Sequence, residues 1–195
     1  MQRVPASIKF SADGSIHFLF MDWRHLREML DATEQYTELK NLICWNKGSA
    51  GMGTFYRSQH ELIFTMKNGK RPHINNFGLG EKGRHRSNVW DYPGLTGWTA
   101  ARANELAMHP TPKPVALLAD AIRDCSKKNG VVLDCFGGSG ATLIAAEQTG
   151  RRARLIELDP QYIDVIIRRF AKMTGCWATL EQDGRAFDQI EKEGR

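Results

Sequence analysis

No apolar run in the sequence approaches the roughly 18 residues that a bilayer-spanning helix needs. Met1 to Phe20 also lacks the basic segment followed by an unbroken apolar stretch that marks a secretory leader. These absences lead us to expect a soluble, cytoplasmic protein. Cysteine is sparse: Cys44, Cys125, Cys135 and Cys176 stand alone, with no C-x-x-C pair. The pattern gives no support for a zinc cage or a disulfide framework, so buried free thiols and no metal site are expected. Internal repeats and low-complexity tracts are missing too. A phosphate loop of the form G-x-x-x-x-G-K-[ST] is absent, because the one Gly-Lys pair, Gly69-Lys70, is followed by Arg71, which argues against a nucleoside triphosphate.

What is present fits one moderate core, since 195 residues with 42% hydrophobic content favour a single domain over two. The net charge is +5, and it is local. Residues 67 to 86 hold Lys67, Lys70, Arg71, Lys82, Arg84 and Arg86 against Glu81 alone, which accounts for the whole excess. His73, Phe77 and His85 interleave with these cations, and Trp90, Tyr92 and Trp98 follow. Such a segment suits phosphate contact and base stacking. A solvated loop is the competing reading.

Hydrophobic periodicity predicts strands at Ser15–Met21, Leu39–Trp45 and Glu61–Met66, with a helix at Trp23–Thr33. Residues 67 to 106 carry no sustained period and read as a long functional loop or small insertion. Beyond it we expect a helix at Pro114–Cys125, a strand at Val131–Cys135, a helix at Ala141–Gln148, a strand at Ala153–Glu157 and a helix at Tyr162–Met173. Strand, glycine turn, helix and strand within about 30 residues make a parallel βαβ unit, so the fold class is α/β with a doubly wound, mostly parallel sheet and an antiparallel edge hairpin.

The chemistry concentrates at Val131-Val132-Leu133-Asp134-Cys135-Phe136-Gly137-Gly138-Ser139-Gly140. Glycines sit where the strand hands over to its helix, so the backbone can approach a ligand closely, and the next strand ends in Glu157, a carboxylate able to accept both ribose hydroxyls. Leu143 stands where a dinucleotide fingerprint needs its third glycine, which counts against a nicotinamide cofactor. Asp134 beside the turn would repel a pyrophosphate but hold an ammonium group. A ribose-bearing cofactor without phosphate, such as S-adenosylmethionine, satisfies all three observations.

With these residues in view, His109-Pro110-Thr111-Pro112-Lys113-Pro114, then Asp134 to Gly140, then Glu157-Leu158-Asp159-Pro160 resemble the N6-adenine/N4-cytosine DNA methyltransferase family. The likeness extends upstream through Phe20-Met21-Asp22-Trp23, Trp45-Asn46-Lys47 and Thr54 to Glu61. It implies a Rossmann-like methyltransferase fold, S-adenosylmethionine as cofactor and double-stranded DNA as partner. By resemblance, Thr111, Lys113, Asp134, Phe136, Gly137, Ser139, Gly140 and Glu157 would bind the cofactor. Residues 14 to 66 would belong to the catalytic half, 67 to 106 to target recognition and 107 to 195 to the cofactor half. Asp22, Trp45 and Lys47 at strand ends would face the target base or serve as ordinary turn formers. Tyr56 would contact the flipped base or pack under its loop, and Arg84, Arg86 and Trp90 would touch DNA. Arg151, Arg152, Arg168 and Arg169 read as solvated helix ends.

The motif order is that of the permuted branch, with the cofactor motifs last, and it places the catalytic tetrapeptide Asp-Pro-Pro-Tyr, or its Asn/Ser and Trp variants, ahead of Gly14. Nothing from Met1 to Asp13 provides it, and the near-match Asp159-Pro160-Gln161-Tyr162 reads as a structural start to the helix after the ribose acid. The catalytic residues therefore stay unassigned, and we expect a chain truncated or impaired in catalysis. The alternative is a non-catalytic module that binds cofactor and DNA. In the family the tetrapeptide strand lies in mid-sheet, between the cofactor strand and the one at Ser15–Met21. Its loss predicts a gap, to be met by another chain or copy, by Val4–Phe10, or by the two flanking strands closing up.

Overall fold

The computed structural model describes residues 8–51, 53, 55–94 and 112–194. The strands and α-helices among the described residues follow in chain order: β1 (Ile16–Met21), α1 (Leu26–Ala32), β2 (Glu38–Asn46), β3 (His60–Lys67), β4 (Val89–Asp91), α2 (Val115–Cys125), β5 (Val131–Asp134), α3 (Ala141–Thr149), β6 (Arg152–Leu155), α4 (Pro160–Thr174) and α5 (Phe187–Glu193). Every element expected from periodicity is present. The predicted helix at Trp23–Thr33 is divided, because Asp22 caps a 3-10 turn at Trp23–His25 before α1 starts. Two of these elements escaped the sequence reading: β4, whose three residues are too few to carry a readable period, and α5.

The expected single sheet is, among the described residues, two sheets. The first has the order β1-β3-β2-β4, antiparallel except for the parallel β2–β4 pair. The second is the parallel pair β5-β6. Thus β1 pairs with β3 and β5 with β6, and the described strands leave one edge of each without a neighbour. The flanking strands have not closed up. Residues 4 to 7 lie outside the described residues, and Ile8 and Lys9 are helical, not extended.

Central β3 explains its own sequence. Lying between β1 and β2, it buries both faces, so its apolar residues run consecutively instead of alternating. Ile63 packs with Ile43, Trp45, Trp90 and Leu117 on one face, while Phe64 packs with Met29, Tyr36 and Met66 on the other. Helix α2 joins the two sheets. Leu117 and Ala121 enter the cluster on the first sheet, and Ala119 and Ile122 pack on Ala145 and Ala146 of α3 and on Val132 and Ala153 of the second sheet. Alanine at these positions lets α2 and α3 approach closely.

No helix among the described residues is long and apolar enough to cross a membrane. Of the cysteines, Cys44, Cys125 and Cys135 are partly buried, but Cys176 is exposed, contrary to the expected set of four buried thiols. Burial pushes the Cys125 thiol up to about 12.

Candidate functional site

Strand β5 ends on Asp134, which opens the glycine turn. Its Oδ1 accepts from the Phe136 amide at 2.9 Å and its Oδ2 from the Thr142 hydroxyl of α3 at 2.6 Å. Burial moves this carboxyl above the ordinary aspartate range, with Thr142 and the Phe136 N–H pulling it back down. Thr142, absent from the expected site, is the side chain that fixes the orientation of Asp134 across the turn.

The opposite side of the turn is tied to Glu157, just after β6. Glu157 Oε2 accepts from the Gly138 amide at 2.6 Å, and Oε1 accepts from the Leu158 and Asp159 amides at 2.9 and 3.0 Å. The backbone therefore brings the two carboxylates foreseen in the sequence to the two ends of one turn. The near-match at Asp159 is structural: Asp159 caps α4 by accepting from the Gln161 amide, and Pro160 occupies the first turn.

The glycines answer to a different neighbour from the one expected. A Cβ at Gly137 would lie 3.2 Å from Ile166 Cδ1, and one at Gly140, where φ is 76°, would lie 3.1 Å from two carbons of Ile166. Packing of Ile166 from helix α4 thus leaves little room for a side chain at either position, and the positive φ at Gly140 favours glycine there independently. Phe136 is 75% exposed, whereas Ser139 is only 4% exposed. The Ser139 hydroxyl and carbonyl accept from Arg169 at 3.1 and 3.0 Å, so the cofactor role expected for Ser139 is not met by a solvent-facing hydroxyl, and Arg169 is not a solvated helix end. Arg151 likewise binds Ser126 and Thr149, whereas Arg168 is solvated as expected, pairing at the surface with Asp164 and Glu191, but from the middle of α4 and not from its end.

Lys113 precedes α2 and reaches the first sheet, where its Nζ lies 3.1 Å from Glu61 Oε1 and 5.4 Å from the centre of the Phe20 ring. Lys47 approaches the other carboxylate oxygen at 2.8 Å, so Glu61 bridges two lysines. Thr111 lies outside the described residues, as do residues 95–110. Asp22 accepts from the Arg24 amide at the end of β1. Tyr56 is 81% exposed and Phe55 84%, with ring centres 4.2 Å apart, so Tyr56 stands at the surface and does not pack under its loop. Phe55 lay within the quoted motif, yet only its exposure distinguishes it.

Of the remaining expected DNA residues, the two tryptophans are buried and the two arginines are partly exposed but held in ion pairs. Trp45 and Trp90 are 3% and 4% exposed, and their indole N–H groups donate to the Tyr92 and Ser87 carbonyls. Arg84 Nη2 donates to Asp124 Oδ1 at 2.6 Å and Arg86 Nε to Asp124 Oδ2 at 2.9 Å, while the Arg86 guanidinium lies over the Trp90 ring. Tyr92 donates to Asp120 Oδ2 at 2.5 Å. The physical reason for this correction is Asp124 itself, 3% exposed, which needs cations to be buried at all. In the linear sequence it is an unremarkable acid on a helix.

Among known proteins, the chain matches the family model described as DNA methylase over residues 6–168. The Type II methyltransferase M2.MboI of Moraxella bovis is 28% identical over 148 residues, covering 72% of this chain and 53% of that protein. M2.LlaDCHI of Lactococcus lactis subsp. cremoris, also a Type II methyltransferase, is 28% identical over 168 residues, covering 82% of this chain and 58% of that protein. The chain thus spans somewhat more than half the length of these two curated relatives. Its fold is shared with the crystal structure of the M1.HpyAVI–SAM complex, with a TM-score of 0.66 at 22% identity over 82% of this chain and 76% of that one. A match to the family model over residues 6–168, most of this chain's length, means that the chain belongs to the N6-adenine/N4-cytosine DNA methylase family.

Proposed function

We propose that this chain binds S-adenosylmethionine at the glycine turn and takes part in methylating an exocyclic amino group of adenine or cytosine in duplex DNA. The observation that carries the reading is the pair of carboxylates, Asp134 and Glu157, held at the two ends of one turn by backbone amides. That donor set fits a cationic, ribose-bearing ligand and disfavours a pyrophosphate. When bound, the cofactor supplies an electrophilic methyl group. Asp134 would hold the ammonium end and Glu157 would accept the ribose hydroxyls, exposed Phe136 would cover apolar surface, and Lys113, which Glu61 holds in place, would offer a cation.

Asp134 gives the binding step a pH dependence. Its ligand-holding form is the carboxylate, and burial sets its proton loss higher than for an ordinary aspartate. Affinity should therefore fall, on acidification, earlier than an ordinary aspartate would dictate. Calorimetric titrations across pH will show that limb in the parent chain and lose it in Asp134→Asn. An unchanged profile would refute the assignment.

An exocyclic amino group is a poor nucleophile because its lone pair is delocalised into the ring, so acceptors must hold its hydrogens while an aromatic stacks on the flipped base. The exposed Tyr56, with Asp22 and Lys47, supports the base side of such a site. The acceptors of the family tetrapeptide have no counterpart in Met1–Asp13, and we place them on a strand seated along the open edges of β1 and β5. The 195 residues by themselves should bind cofactor without transferring tritiated methyl groups to DNA. A fusion carrying an Asp-Pro-Pro-Tyr strand should bind and transfer. Transfer by the unfused chain would overturn the missing-strand reading, cofactor binding by neither protein would overturn the whole proposal, and binding without transfer in the fusion would favour the non-catalytic module.

A further inference from the structure

Arg168 and Arg169 are adjacent on α4 but face different surroundings. Arg168 spans surface carboxylates, whereas Arg169 turns to the glycine turn and donates from Nη1 to both the carbonyl and the hydroxyl of Ser139. We infer that Arg169 is a positioning residue for the cofactor site, bracing the glycine turn from α4 so that Gly138 meets Glu157. The inference rests on the cofactor reading above for its functional consequence, but not for its physical content.

Three observations converge on it. Ser139 is 4% exposed and sits between Gly138 and Gly140, both with left-handed φ of 51° and 76°, so it is the one residue with a side chain in the most permissive stretch of the turn. A buried hydroxyl and carbonyl need a donor, and Arg169 supplies both hydrogen bonds from a single nitrogen. Ile166, three residues earlier on the same helix, occupies the space next to Gly137 and Gly140 that any Cβ there would need. One face of α4 therefore touches the turn twice, by packing at Ile166 and by charge-assisted hydrogen bonds at Arg169. With Ser139 fixed, the preceding Gly138 amide points at Glu157 Oε2, 2.6 Å away, which orients the carboxylate assigned to the ribose. Without the brace, the two glycines let the turn sample conformations in which that amide and Glu157 no longer meet.

The test is Arg169→Met, which keeps much of the apolar stem and removes the donors. Amide hydrogen exchange of the ligand-free chain should quicken about tenfold across Phe136–Ala141 and stay unchanged in α2. S-adenosylmethionine affinity should fall about tenfold, Ser139→Ala should add little to Arg169→Met, and Arg169→Lys should recover part of the loss. Unchanged exchange in the turn would overturn the brace, as would exchange quickened throughout the chain, which would make Arg169 a residue of global stability. Should the parent chain bind no cofactor, the cofactor reading fails, while the exchange result still decides whether Arg169 holds the turn.

Discussion

Replacing Asp124 by alanine is expected to lower folding stability by about 3–5 kcal/mol, a large part of the roughly 5–15 kcal/mol that domains of this kind possess. Asp124 is 3% exposed and receives Arg84 and Arg86 on its two oxygens, at 2.6 and 2.9 Å. Deleting the carboxylate leaves two guanidinium groups in partly desolvated positions, with Asp120, at the longer distances of 3.5 and 4.0 Å, as their remaining carboxylate partner. The damage should spread along the clamp. The Asn76 amide donates to the Asp124 carbonyl, and the Asn76 side chain binds the Arg123 and Ser126 carbonyls, so segment 75–92 is fastened to the end of α2 at several points. Urea or thermal unfolding measures the effect, and a drop of about 10 °C in Tm is expected for a chain of this size. Asp124→Asn should fall between parent and alanine, because it keeps an acceptor and loses the charge. A loss below about 1 kcal/mol for alanine would show that the cluster is not the fastening of this segment to α2.

Glu157→Ala should weaken S-adenosylmethionine binding about a hundredfold, which corresponds to roughly 2.7 kcal/mol. Two effects add. The substitution removes the acceptor proposed for the ribose hydroxyls, where hydrogen bonds to a charged group are worth about 1.5–3 kcal/mol each. It also frees the Gly138, Leu158 and Asp159 amides, which now share one carboxylate, so the turn and the start of α4 lose a common anchor. Glu157→Gln separates the two effects: it keeps one oxygen, loses the charge, and should fall about tenfold. Calorimetry on both variants, with circular dichroism to confirm folding, gives the comparison. Binding unchanged in folded Glu157→Ala would remove the ribose assignment.

Much of the site was legible because its signals are local. Asp134, the glycines and Glu157 belong to one βαβ unit, where strand length and helix start fix the spacing. A reader of the chain can therefore place both carboxylates beside one turn. The same locality made the near-match at Asp159-Pro160 readable as a helix start. What misled the reading was burial. Arg84, Arg86 and Trp90 form a basic, aromatic stretch suited to DNA, and no period within residues 67–94 reveals that Asp120 and Asp124, some 35 residues later, would draw the arginines inward. Trp45 similarly stands at a strand end, a position that suggests a site residue, but the packing of β2 on β3 and α2 covers it.

By itself, the sequence determined the α/β alternation, the parallel unit around the glycine turn, the two carboxylates that bound it and the family to which they belong. These follow from periodicity and short-range spacing, which the backbone enforces without reference to distant residues. Only the tertiary structure decided that, among the described residues, α2 joins two separate sheets and β1 and β5 each lack a neighbour on one edge, that Ile166 and Arg169 pack against the inner side of the turn, and which cations are exposed and which are clamped. Those outcomes depend on contacts between segments far apart in the chain, where burial and charge neutralisation, unlike period, leave no mark in the linear order of residues.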